Sequence, residues 1–394
     1  MTFDRRQFVQ LGALSLLAPA ATAAATPVLG RHRARALGIT IGHLPPGPLN
    51  AITDVAGVEV GHTTIISGHG KLEIGVGPVR TGVTAIWPQR NIVHEFLPCG
   101  VDVPNGNGEF SGMLAARNLG ILNSPICLTT TSSVGMVHDA LQKLQPVDDL
   151  PSGTPVVGET WDDILNDGVG RHVHEKHVLE ALAAARGGPV AEGSVGGGTG
   201  MTCYEYKGGI GTASRVIEQG GSRHTVGVLV QANHGLRYLL RIDGVPVGAE
   251  LSRQSPAEPR SELNSALMII ATDAPLLAHQ LQRLARRATH GLARTGSISS
   301  NSSGDFTLAF STANRIPREA FYRGRGYALQ SVEQFHIFPY LEAASEAVEE
   351  AIINALCMAE DMTGINGNFV PALPLTETLE ILRRHGRLSG GANG

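Results

Sequence analysis

The sequence predicts a protein of the α/β or α+β class. Two observations carry this: short β-branched or apolar runs of strand composition, and between them longer segments whose apolar residues recur at helical spacing. In chain order, Phe110 to Leu122 is predicted as a helix, Val156-Val157 as a strand, His172 to Arg186 as a helix and Val226 to Val230 as a strand. Ala266 to Thr272 is apolar on both faces, which predicts a strand in a sheet covered on both sides. Leu276 to Leu292 carries apolar residues at 277, 281, 284, 285, 288 and 292, with Gln280, Gln282, Arg283, Arg286 and Arg287 mostly opposite, a single helical stripe. Phe306 to Phe310 reads as a further strand. Tyr340 to Met362 reads as a last long helix, stopping near Gly364.

The ends and one internal stretch have other characters. Met1 to Ala25 runs from Asp4-Arg5-Arg6 through an apolar stretch, Leu11 to Ala18, to the small residues Ala21 to Ala25. That order predicts a signal peptide, and the paired arginines favour twin-arginine export to the periplasm or beyond. The apolar stretch is shorter than the roughly 20 residues that span a bilayer, so no membrane association is expected. Residues 251–264 hold two prolines and the polar side chains Arg253, Gln254, Glu258, Arg260 and Glu262, without strand or helix period, which predicts an exposed loop. That loop runs straight into the doubly apolar strand beginning at Ser265.

Composition narrows the function. The formal charge is −4, and no basic stripe interleaved with aromatics is present, so nucleic acid is not an expected partner. Four dispersed cysteines without a CxxC pair argue against a structural zinc site or a disulfide framework. Glycine is 49 of 394 residues, about 12% against an ordinary 7%, which calls for tight turns and close backbone approaches.

Motifs remove several classes of chemistry. There is no G-x-S-x-G, S-x-x-K or H-E-x-x-H. The glycine cluster from Gly193 to Gly211 lacks the G-K-[ST] end of a phosphate-binding loop, and Lys207 follows a strand-like Thr-Cys-Tyr-Glu-Tyr. His172, His174 and His177 form an H-x-H-E-x-H group, but no carboxylate at helical spacing completes a ligand set, so a solvated helix start is expected and no metal. Ser265 is the stronger candidate. A serine between a polar loop and a buried strand suits self-cleavage: its hydroxyl attacks the preceding carbonyl, an N→O acyl shift follows, and hydrolysis leaves a serine bearing both Oγ and a new α-amine. That amine, with an ordinary pKa of about 7.7–8.0, can act as a base.

Long stretches resemble one family. They are Asn264-Ser265, Ile270-Ala-Thr-Asp-Ala-Pro-Leu-Leu277, Gly291-Leu-Ala-Arg-Thr-Gly296 and Asn301-Ser-Ser-Gly-Asp305-Phe-Thr-Leu-Ala-Phe-Ser-Thr-Ala-Asn314. Upstream, Ile52-Thr-Asp-Val-Ala-Gly-Val-Glu-Val-Gly-His62, Gly193-Ser-Val-Gly-Gly-Gly-Thr-Gly200 and Lys207-Gly-Gly-Ile-Gly-Thr-Ala-Ser-Arg215 join them. Together, over about residues 37 to 380, they resemble the self-processing L-aminopeptidase D-amidase/D-esterase family, which includes β-peptidyl aminopeptidases.

The resemblance implies a four-layer αββα sandwich like that of N-terminal-nucleophile hydrolases. It implies one domain cut into an α chain, 26–264, and a β chain, 265–394, with self-cleavage between Asn264 and Ser265. It further implies that Ser265 is the nucleophile, that Asn233 holds the oxyanion, that Ser303 and Asp305 orient and activate the nucleophile, and that Glu159 pairs with the substrate's ammonium. Trp161 stands where some members have a tyrosine, so an indole that donates but shuttles no proton would line the substrate site. Asp305 stands where the β-aminopeptidase branch has a glutamate. The implied protein is a cofactor-free aminopeptidase and a homo-oligomer of processed heterodimers. Its substrate would be a small peptide, amide or ester with a free amino terminus. An acyltransferase on the same scaffold, a periplasmic peptide-binding protein without turnover and a metalloenzyme using the histidine group are the competing expectations.

Overall fold

The structure is a computed structural model; it describes residues 30–254 and 265–388. The predicted signal peptide, Asn264 and most of the predicted loop lie outside the described residues. The main strands are β1 Glu59–Ser67, β2 Val79–Trp87, β3 Glu95–Gly106, β4 Phe110–Ser111, β5 Ile126–Thr130, β6 Val156–Thr160, β7 Gly209–Gln219, β8 Ser222–Asn233, β9 Ser265–Thr272 and β10 Gly304–Ser311. The helices that cover them are α1 Val134–Gln142, α2 Glu175–Ala184, α3 Ala278–Arg294 and α4 Phe338–Met358.

These strands form two sheets. The first runs β1-β2-β5-β6-β4, and the second β7-β8-β9-β10-β3, with Ile316–Pro317 and Ile121–Leu122 pairing short stretches of β3. In the second sheet β9 and β10 are parallel, joined by the crossover helix α3, as a parallel connection requires. Alternation along β9 makes the layers: Leu267, Ile269 and Ala271 enter a core with Ile86, Ile126 and Leu128 of the first sheet. Ala266, Met268 and Ile270 enter another with Leu281, Leu284 and Ala347 of the outer helices. A third core packs Val83, Cys127 and Val157 of the first sheet against Val137 of α1 and Val178 and Ala181 of α2. The expected αββα sandwich is therefore the observed one.

Several local expectations change. Phe110 to Leu122 is no continuous helix: Phe110–Ser111 is a strand on β6, Met113–Leu119 is a short helix, and Ile121–Leu122 pairs with β3. Gly112 and Gly120, both in the left-handed region, bracket that helix. The last long helix begins at Phe338 and ends at Met358, because Ala359 is extended and Met362–Thr363 pairs with Phe369–Val370 instead. Residues 251–254, read as part of a loop, close a helix, Val247–Gln254.

Nor is α4 buried along one stripe, for nearly every residue from Tyr340 to Cys357 is inside. Its acidic residues are accommodated by ion pairs: Arg215 of β7, fully buried, reaches Glu346 at 2.9 Å and Glu350 at 2.7 Å, and Arg35 adds a contact to Glu350 at 2.8 Å. Among the described residues no helix is long and apolar enough to cross a membrane.

Glycine permits this close layering. A Cβ on Gly211 of β7 would collide with the Ala351 carbonyl and the Ala355 amide of α4, backbone that cannot swing aside. Gly211→Ala is therefore expected to destabilise by about 1–3 kcal/mol, the usual penalty for overpacking a tight interior. Thermal unfolding measures this; an unchanged melting temperature would mean that α4 shifts freely on the sheet.

Candidate active site

Pairing in the second sheet brings the sequence-nominated residues together. Ser265, the first residue of β9, lies opposite Asn233, the last of β8, and opposite Gly304, the first of β10. Ser303 thus adjoins the start of β10, and Asp305 is one residue inside it. Ser303 Oγ donates to Asp305 Oδ1 at 2.7 Å. Burial holds the Asp305 carboxyl above its ordinary range, opposed by hydrogen bonding from Ser299, Ser303 and the Ala266 backbone. The loop before β10 is fixed from β3 and its end: Asn105 Nδ2 donates to the Ser300 carbonyl at 3.0 Å, and Asn107 Nδ2 to the Ser302 carbonyl at 2.7 Å.

Asn233 is buried and its carboxamide is oriented at both ends. Oδ1 accepts from the Thr202 N–H at 2.7 Å, while Nδ2 donates to the Trp161 carbonyl at 2.9 Å. These bonds leave the second Nδ2 hydrogen as the remaining donor of the group.

Glu159 comes from the other sheet, next to the end of β6. Its carboxylate accepts from the Glu109 N–H at 2.9 Å and from the Thr131 hydroxyl. Burial raises its pKa, opposed by those two bonds. Gly108 matters here for space: a Cβ would stand 2.7 Å from Glu159 Oε1 and 3.2 Å from the Phe306 ring. Asn107, Gly108, Thr131, Glu159, Trp161, Ser265 and Ser302 line one cleft of about 250 Å³. A serine hydroxyl, an oriented amide and a buried carboxylate share this end of the sandwich, a constellation of groups that can serve acyl transfer from a substrate carrying a positive charge.

Sequence reading missed Thr131, Asn107, Glu109 and Thr202. Each acts through the backbone or through a contact distant in sequence, and no local pattern marks them. The predicted polar helix start at the histidine group is what the fold contains: the His174 N–H donates to His177 Nδ1 at 3.0 Å, and His172 pairs with Asp167 at 2.8 Å. Within the glycine cluster, Gly196–Gly198 form a single turn whose Gly196 and Gly197 N–H groups donate to the Thr64 and Thr84 hydroxyls of the first sheet, while Gly209 and Gly211 belong to β7.

Comparison with known proteins agrees with this architecture. The family profile of Peptidase family S58 matches residues 50–370. A β-peptidyl aminopeptidase of Sphingosinicella microcystinivorans is 45% identical over 372 residues, covering 91% of this chain and 93% of that protein. Among solved structures, a β-aminopeptidase from Burkholderia sp. superposes with a TM-score of 0.83 at 46% identity, over 90% of this chain and 99% of that one. The L-aminopeptidase D-Ala-esterase/amidase of Ochrobactrum anthropi, described as a prototype serine aminopeptidase and a variant of the Ntn hydrolase fold, superposes with a TM-score of 0.84 at 41% identity, over 91% and 99% of the two chains. With a family match across most of its length and the sandwich in common with these enzymes, the chain belongs to peptidase family S58.

Proposed function

We propose that the protein is a self-processed serine aminopeptidase that removes a small N-terminal residue from a peptide, amide or ester through an acyl-Ser265 intermediate. The observation that carries this reading is the strand register, which sets Asn233 and the Ser303–Asp305 pair on either side of Ser265. Relatives named as aminopeptidases along nearly the whole chain support it.

In this reading the first reaction is on the chain itself. Ser265 Oγ attacks the Asn264 carbonyl, the amide becomes an ester, and water releases Asn264 as a carboxylate and Ser265 with an α-amine. In turnover, the substrate's ammonium pairs with Glu159, and Oγ attacks the scissile carbonyl while the α-amine takes its proton. The second Nδ2 hydrogen of Asn233 receives the oxyanion, an interaction worth about 2.7–4 kcal/mol in comparable sites. The leaving amine or alcohol departs with that proton, and water then cleaves the acyl ester. The cleft of about 250 Å³ lies below the roughly 300–1,000 Å³ of drug-sized pockets and suits a small residue. Export before use belongs to the same reading and rests on the Met1 to Ala25 segment.

Intact-mass measurement of the purified protein is expected to show two chains, the second starting at Ser265, and Ser265→Ala is expected to remain one chain. A single uncut wild-type chain would sink the proposal. Glu159→Gln is expected to lower kcat/KM for amides of alanine or β-alanine at least about 30-fold, since removing one partner of a buried charge pair costs 2–5 kcal/mol. Because the Glu159 carboxylate binds the ammonium and its pKa is raised, kcat/KM should fall on acidification above the usual carboxylate range, and the variant should lose that limb. An N-acetylated substrate turned over as fast as the free amine would contradict the role of Glu159.

A further inference from the structure

The Asn233 carboxamide has a buried supporter on the same side as Thr202. Thr202–Cys203 and Tyr206–Lys207 form a small antiparallel hairpin in which Lys207 stands directly opposite Thr202. Tyr204 and Glu205 at its turn both have positive φ, 51° and 60°, the conformation that closes a two-residue hairpin. The turn folds the lysine back under its partner strand, and the side chain is fully buried. Its Nζ donates to the Met201 carbonyl at 2.7 Å, the Gly208 carbonyl at 3.0 Å and the Gly198 carbonyl at 3.4 Å. Three donors meet three acceptors, so the group has little freedom to turn.

The shortest of these bonds reaches a particular peptide group. The Met201 carbonyl and the Thr202 N–H belong to one planar amide. That N–H donates to Asn233 Oδ1 at 2.7 Å. A chain of hydrogen bonds therefore runs from the Lys207 ammonium through the Met201–Thr202 peptide to the Asn233 carboxamide. An ammonium on a carbonyl draws electron density out of the peptide and strengthens its N–H as a donor, and hydrogen bonds in such chains reinforce one another. Oδ1 fixed by that N–H also decides which way the carboxamide faces, and so where Nδ2 points.

We propose that Lys207 is a positioning residue for the reaction: through the Met201–Thr202 peptide it orients and polarises the Asn233 carboxamide toward the developing oxyanion. No proton moves along the chain and no bond is made or broken; the effect is on the geometry and donor strength of an amide. This rests on the reading of Asn233 as the oxyanion donor.

A double-mutant cycle tests it, with initial rates on an alanine or β-alanine p-nitroanilide. The assays are run at pH 6, below the value of about 7 to which burial pushes the Lys207 ammonium. Asn233→Ala is expected to lower kcat about a hundred- to a thousandfold. Lys207→Met, of similar length but uncharged, is expected to lower kcat about ten- to a hundredfold, as loss of an outer supporting partner does elsewhere, with KM within about twofold of wild type by the same reasoning. In the Asn233→Ala background, Lys207→Met should cost nothing further, because its path to the substrate is already gone.

Wild-type kcat in Lys207→Met overturns the proposal, as does an equal further loss in the double variant. A rise in KM with kcat unchanged overturns it too. Unchanged kcat in Asn233→Ala overturns the oxyanion reading itself, an outcome distinguishable from a failure of Lys207 alone. If thermal unfolding shows Lys207→Met to be unfolded, Lys207→Gln, which retains a carbonyl-binding N–H without the charge, takes its place in the same cycle.

Discussion

The register of β9 between β8 and β10 is the constraint on which the molecule depends. A slip by one residue would turn every side chain of that strand to the opposite face. Here the two faces are differently occupied: Leu267 and Ile269 pack against the other sheet, Met268 and Ile270 against the outer helices. Two cores therefore hold one register. Because the pairing of Ser265 with Asn233 and Gly304 is the first rung of the same ladder, the position of Ser265 is set by apolar packing further along its own strand.

At the end of the sandwich that packing gives way to polar contacts between the sheets. Gln231 of β8 donates to the Thr129 carbonyl and to Thr160 Oγ1 of the first sheet, and Asn233 donates to the Trp161 carbonyl. Glu159 takes bonds from the Glu109 backbone and from Thr131. Burying such groups is unfavourable unless each finds partners. The partners found here hold the groups in fixed directions before any substrate arrives, which is what transition-state stabilisation by dipoles demands. The same bonds thus offset much of the cost of buried polarity, join the two sheets and set the geometry of the cleft.

Much of this was legible in the sequence, unevenly. The doubly apolar run after Ser265, the alternation of strands and helices, and the stripe of α3 all follow from local period. The break in Phe110 to Leu122 was not legible, because the apolar spacing that suggests a helix there also serves two short strands whose partners lie elsewhere in the chain. The burial of Glu346 and Glu350 was hidden too, since Arg215, which makes it tolerable, is more than 100 residues away. Within the site, position alone singled out Ser265. Asn233, Ser303, Asp305 and Glu159 rested on motif resemblance, and Thr131 and Thr202 needed coordinates because each contributes one bond to a residue distant in sequence.

The topology bears on what a cut before Ser265 would do to the fold. β8 precedes that point and β10 follows it, yet both pair with β9, so a new chain end at Ser265 would remain bonded on each side. The helix α4, from the later segment, packs on β7 and β8 of the earlier one, with Arg215 and its two glutamates bridging them. The two segments are thus interleaved rather than placed side by side, and their shared cores do not require the peptide link. Cleavage there would break the chain without releasing either segment. It would also place the new amine on a residue whose main chain the ladder holds from both sides, so that the amine and the hydroxyl of Ser265 would share one fixed backbone position.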